Sequence, residues 1–123
     1  MATLGAVTFD CVNALDQAQF WAAALDWDVA PDGSEHFAVI GGPRRPPDAP
    51  NLLFLQVPEG KVAKNRNHVD LHTEDIAGEL QRLQDLGATV IHEKNEFDTH
   101  WYTLSDPEGN EFCLVEDTPA GAG

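Results

Sequence analysis

Apolar positions first recur with a period of two in 6–12, where Val7, Phe9 and Cys11 alternate with Thr8 and Asp10, the pattern of a half-buried strand. The period then lengthens. From Ala14 to Trp27, Leu15, Ala18, Phe20, Trp21, Ala24 and Leu25 recur at helical spacing without an internal Gly or Pro, and Asn13 or Asp16 can cap that helix. Phe20, Trp21 and Trp27 are read as core residues. Three short strands are predicted next, Asp28–Ala30, His36–Ile40 and Asn51–Val57, closed by Pro31-Asp32-Gly33, Gly41-Gly42-Pro43 and Pro58-Glu59-Gly60. The loop 43–50 holds Pro43, Pro46, Pro47 and Pro50 and reads as extended and exposed.

The order then repeats. Asn67–Thr73 is predicted as a strand and Asp75–Leu86 as a helix with Ile76, Leu80, Leu83 and Leu86 on its apolar stripe, stopped by Gly87. Strands are predicted at Thr89–Glu93, Trp101–Leu104 and Glu111–Glu116, the last two joined by the turn Asp106-Pro107-Glu108-Gly109-Asn110. The tail 118–123 reads as frayed. Laying Val7–Asp10 over Val69–His72, and Leu25-Asp26 over Leu86-Gly87, gives a near-constant offset, the mark of two βαβββ units, about 1–60 and 61–117, in one domain. A ferredoxin-like βαββαβ order would place only two strands between the helices, where this chain offers four.

Parity along the strands turns organisation into chemistry. If Val7, Phe9 and Cys11 face their helix, then Ala6, Thr8 and Asp10 face away. Likewise Val69 and Leu71 leave His68, Asp70 and His72 on the other face, and Phe112 and Leu114 leave Glu111, Cys113 and Val115. Polar groups without partners are expensive to bury, so these faces must meet water, a partner or a cavity. If the sheets curl toward each other, the same side chains line a cleft.

Composition then removes classes of function. With 123 residues, 42% of them hydrophobic, one core can form but a second domain cannot. Seven Lys+Arg against 21 Asp+Glu give a net charge of −14, a field that repels nucleic acid and anionic lipid. No window is long and apolar enough for a membrane span, and residues 1–10 lack the start of a signal peptide, so the expectation is a cytoplasmic protein. Cys11 and Cys113 are expected to stay reduced and unpaired, because parity puts them on opposite faces. Lys61, Lys64 and Arg66 form the densest basic patch, read as a solvated loop or an anion clamp.

In order and spacing, four groups of residues resemble the vicinal oxygen chelate superfamily, and within it the glyoxalase-like domains related to glyoxalase I, extradiol dioxygenases and bleomycin-resistance proteins. They are Phe20-Trp21 with Leu25-Asp26-Trp27, Asn65 to Leu71, Leu86-Gly87-Ala88, and Asp106 to Phe112. The resemblance spans residues 4–116. It implies an α+β fold of two βαβββ modules, a U-shaped eight-stranded mixed sheet around a small-molecule cleft with helices on the outer face, and a homodimer.

Metal-using members of that superfamily take one ligand from each of several cleft strands. Matched residue by residue, those positions are Ala6, Gln56, His68 and Cys113 here, and Asp10, Asp70 and His72 offer a displaced set. Ala6 has no donor and Gln56 is neutral, while Cys113 sets a soft sulfur beside hard ligands. The expectation is therefore a cleft that binds a small apolar or aromatic molecule with no cofactor and no tightly bound metal, in a resistance or sequestration role. Its candidate residues are Thr8, Asp10, Gln56, His68, Asp70, His72, Trp101 and Cys113. The alternatives are a divalent-metal-dependent lyase, isomerase or dioxygenase, an enzyme using His68 and Asp70 as acid and base, and an interaction module with a vestigial cleft.

Overall fold

The structure, a computed structural model, describes residues 1–96 and 98–117, so the tail 118–123 lies outside the described residues. The chain forms two compact units, Met1–Lys61 and a second beginning at Val62. The first runs β1 (Ala6–Cys11), α1 (Ala14–Leu25), β2 (Asp28–Val29), β3 (Phe37–Gly41) and β4 (Asn51–Gln56). The second runs β5 (Asp70–Thr73), α2 (Ile76–Leu86), β6 (Thr89–Glu96), β7 (Thr99–Ser105) and β8 (Glu111–Glu116).

Each unit has one four-stranded mixed sheet, ordered β1-β4-β3-β2 or β5-β8-β7-β6. The opening strand of each pairs in parallel with the last strand of its own unit, Thr8 beside Leu53 and Asp70 beside Cys113. The other pairings are antiparallel. Four strands separate the helices, which is the βαβββ order and excludes the ferredoxin-like one.

Local chemistry explains where the helices begin and end. The Asn13 side chain accepts from the Asp16 amide at 3.1 Å, and Asp75 caps α2 by accepting from the Gly78 amide at 3.1 Å. α1 stops at Asp26, a non-glycine residue in the left-handed region with φ 59°, and α2 stops at Gly87 with φ 120°.

Burial follows the predicted parity. In the first unit Trp21 and Phe54 are fully buried, and the Phe9 ring lies 5.4 Å from Trp21 and 5.2 Å from Phe54. In the second, Leu83, Leu104, Phe112 and Leu114 form the fully buried centre.

The structure also departs from the sequence expectations. Trp27 lies past the end of α1 and is half-buried, outside the core. Leu86, in the last turn of α2, is exposed. β5 starts only at Asp70, so His68 sits on the approach to the strand. β6 runs on to Glu96, and its register against β7 shifts between Val90 and His92, leaving Ile91 as an extra, exposed residue.

Candidate functional site

The face of the second sheet turned away from α2 carries the polar set. Along β8, Phe112 and Leu114 are buried while Cys113 and Val115 keep partial exposure on the opposite side. Strand register sets Asp70, Cys113, Thr103 and His92 in one row across β5, β8, β7 and β6, and His72, Val115, Trp101 and Lys94 in the next.

His68, Asp70 and Cys113 converge. One ligand atom from each lies within 4.8 Å of the others, and His68 Nε2 is 3.4 Å from Asp70 Oδ1. Thr103 Oγ1 stands 3.6 Å from Cys113 Sγ. Burial pushes the Cys113 thiol above its ordinary pKa; the Thr103 hydroxyl opposes this, the Asp70 charge reinforces it, and Lys64 opposes it. Lys64 comes from the approach to β5, which Asn65 pins to β8. The Asn65 amide donates to Glu111 Oε2 at 2.9 Å, and its side-chain amide donates to the Glu111 carbonyl at 3.4 Å.

The other candidates are placed differently. His72 lies on the same face, with its Nδ1 2.8 Å from Asp117 Oδ1. Trp101 is half-buried, one row above Thr103. In the first unit Thr8 and Asp10 are exposed on the face away from α1, beside Leu53 and Leu55. Gln56 stands apart from them. Alternation along β4 puts it on the side of Leu52 and Phe54, where it donates to the Val12 carbonyl at 2.9 Å and its Oε1 lies 2.6 Å from His36 Nδ1.

Sequence reasoning missed the apolar lining of the first unit's open face. Phe37 pairs with Leu55 and Val39 with Leu53, and Phe37 and Leu55 are 45% and 43% exposed. The signal was available: once Leu52 and Phe54 are assigned to the helix side, Leu53 and Leu55 must face the other way.

The donor set also answers which metal the second unit suits. One nitrogen, one carboxylate oxygen and one sulfur match a borderline-soft ion such as Zn²⁺, which accepts all three. They match Mn²⁺ poorly, since it favours hard oxygen donors. His68, Asp70 and Cys113 would hold such an ion.

Comparison with known proteins agrees with this architecture. The glyoxalase-like domain family matches residues 6–115, and the chain belongs to that family, within the vicinal oxygen chelate superfamily. No curated protein matches the chain. Among solved structures it is similar to a glyoxalase/bleomycin resistance protein/dioxygenase family enzyme from Burkholderia phytofirmans PsJN, with TM-score 0.74, 14% identity, and coverage of 94% of this chain and 98% of that one. It is also similar to the fosfomycin resistance protein FosX from Listeria monocytogenes, with TM-score 0.73, 12% identity, and coverage of 100% and 99%. A mutant of that FosX, complexed with Mn(II) and 1S,2S-dihydroxypropylphosphonic acid, has TM-score 0.71 at 12% identity, covering 98% of this chain and 94% of that one. At these identities the likeness is one of fold.

Proposed function

We propose that this domain binds a small, mostly apolar or aromatic organic molecule on an open sheet face turned away from the helix of its unit, and does so without a tightly bound metal. The observation that carries the reading is the Phe37–Leu55 pair, two large apolar side chains left exposed on the same sheet face as Thr8 and Asp10. An apolar wall with a few polar groups is the usual make-up of a small-molecule site. The second unit, taken by itself, carries Trp101 one row from Thr103, Cys113 and Asp70 on its open face. A resistance or sequestration role is part of this proposal.

The test is elemental analysis of the purified protein together with a native mass spectrum. Background metal is the expected result, and His68→Ala weakens ligand binding while leaving metal at background. About one equivalent of Fe, Mn, Ni or Zn that disappears in His68→Ala overturns the metal-free part of the reading.

A second reading is favoured by the convergence of His68, Asp70 and Cys113. Under it the domain is a metal-dependent enzyme, and the bound ion would supply a Lewis acid for a substrate oxygen. The alternative to that, with no ion held there, is an enzyme in which His68 and Asp70, 3.4 Å apart, act as acid and base.

We also propose a homodimer. Each sheet taken by itself ends in edge strands, which proteins tend to cover. A charge of −14 per chain opposes association, so salt strengthens it. A monomeric mass by light scattering at both low and moderate salt contradicts the proposal.

A further inference from the structure

A second ionisable cluster lies on the other face of the same sheet, away from the candidate site. His100 of β7 presents Nε2 to Glu93 Oε2 of β6 at 2.7 Å and Nδ1 to Glu116 Oε1 of β8 at 3.5 Å. Its ring is 5.3 Å from that of Tyr102, and the Tyr102 hydroxyl also bonds Glu93. Three neighbouring strands therefore meet at one imidazole. The groups facing it are Glu93 from β6, Glu116 from β8 and the Tyr102 phenol from its own strand. Asn95, its register partner on β6, is uncharged. Lys94 and Glu96, 4.0 Å apart, lie on the opposite face.

We propose that His100 is a pH-sensitive tie that fastens the outer hairpin, β6 and β7, to β8, closed when the imidazole is protonated and loosened when it loses its proton. The reason is the donor inventory. A protonated imidazole donates from both nitrogens and satisfies both carboxylates. A neutral one donates from a single nitrogen and turns a lone pair on the other carboxylate.

The electrostatics agree with the geometry. The hydrogen bond to Glu93 holds the His100 pKa above its ordinary 6.5, and Glu116 adds to it. The hydrogen bond to His100 in turn lowers that of Glu93. A group whose pKa is raised on folding contributes stability that is fully present below its unfolded value and is lost as pH climbs through the folded value. The tie is therefore closed at mildly acid pH and opens as pH climbs through a folded value above 6.5.

The hairpin also carries Trp101 and Lys94 on its other face. Any influence of the tie on the Trp101 wall rests on the proposed ligand reading. The tie itself does not, so its test uses the protein without ligand.

The experiment follows the His100 ring signal by NMR across pH, and measures amide exchange protection along β6 and β7 at about pH 6 and about pH 8.5. The expected ring midpoint is above 6.5, falling in Glu93→Gln, with a smaller fall in Glu116→Gln. Protection in residues 93–96 and 99–102 should drop at the higher pH in the native sequence, and should be low at both pH values in His100→Gln. A midpoint at or below 6.5, or the same loss of protection with pH in His100→Gln as in the native sequence, overturns the proposal. Should His100→Gln fail to fold, the Glu93→Gln midpoint decides alone.

Discussion

Asp70 and Cys113 are direct partners in the parallel pairing of β5 with β8, so a carboxylate and a thiol distant in sequence share one row of the open sheet face. The carboxylate raises the thiol's pKa, in the same direction as burial, while Thr103 and Lys64 act against it. Cys113 is thereby kept as a thiol, a poor nucleophile at neutral pH.

Alkylation kinetics check this electrostatic balance. Cys113 should react with iodoacetamide more slowly than free cysteine at mildly alkaline pH. Asp70→Asn should speed the reaction, because removing the carboxylate lowers the thiol pKa. Lys64→Met should slow it. Peptide mapping by mass spectrometry separates Cys113 from buried Cys11.

The end of α1 offers a stabilising change. Asp26 holds φ 59°, where a side chain costs energy that glycine avoids. Asp26→Gly forgoes an exposed 3.5 Å ion pair with Arg44 but keeps the 2.7 Å bond from Arg44 Nε to the Asp26 carbonyl. Exposed pairs contribute little, so a net gain of about 0.5 kcal/mol is expected, read as a rise in thermal midpoint.

The turn before β8 depends on one buried carboxylate. Asp106 is 3% exposed and accepts from the Glu108 amide at 2.9 Å, the Asn110 amide at 3.0 Å and the Asn110 side chain at 3.2 Å. Asp106→Ala orphans those donors and should cost about 1–3 kcal/mol in urea unfolding.

On α2, Arg82 pairs with Glu79 one turn back at 2.7 Å and, chiefly through that hydrogen bond, holds the Glu79 pKa below 4.5. The pair is partly exposed, so Arg82→Ala should cost only about 0.3–0.5 kcal/mol. With the folded pKa lowered, this contribution is present above the unfolded value and disappears as pH falls through the folded one. Urea titrations of the native sequence and Arg82→Ala at neutral and acid pH should converge on the acid side.

Much of the fold was legible because local signals agreed with one another. Strand β8 spans the predicted Glu111–Glu116, Asn13 caps α1, and alternation on β1 and β8 named the helix-facing residues. The sequence pattern ends β6 too early because, past the bulge at Ile91, both of its faces are polar and no alternation is left to follow. Hydrophobicity alone assigns Trp27 to the core, yet α1 ends before it. Leu55 is masked by the apolar run Leu52–Leu55, although alternation along it already turns Leu53 and Leu55 to the open face, while its pairing with Phe37 depends on the β3–β4 register. His68, Asp70 and Cys113 were each named from the sequence, but their convergence depends on the β5–β8 register, and no local pattern encodes it. The His100 cluster escaped for the same reason, since it needs three strands in register.

The most direct test of the proposed function is binding of 1-naphthol to protein stripped with a chelator, followed by saturation-transfer NMR. The account predicts saturable binding without added metal, lost in Leu55→Glu and weakened in Phe37→Ala. No binding to the stripped protein, or binding that appears only after Zn²⁺ is restored and vanishes in Cys113→Ala, would contradict it.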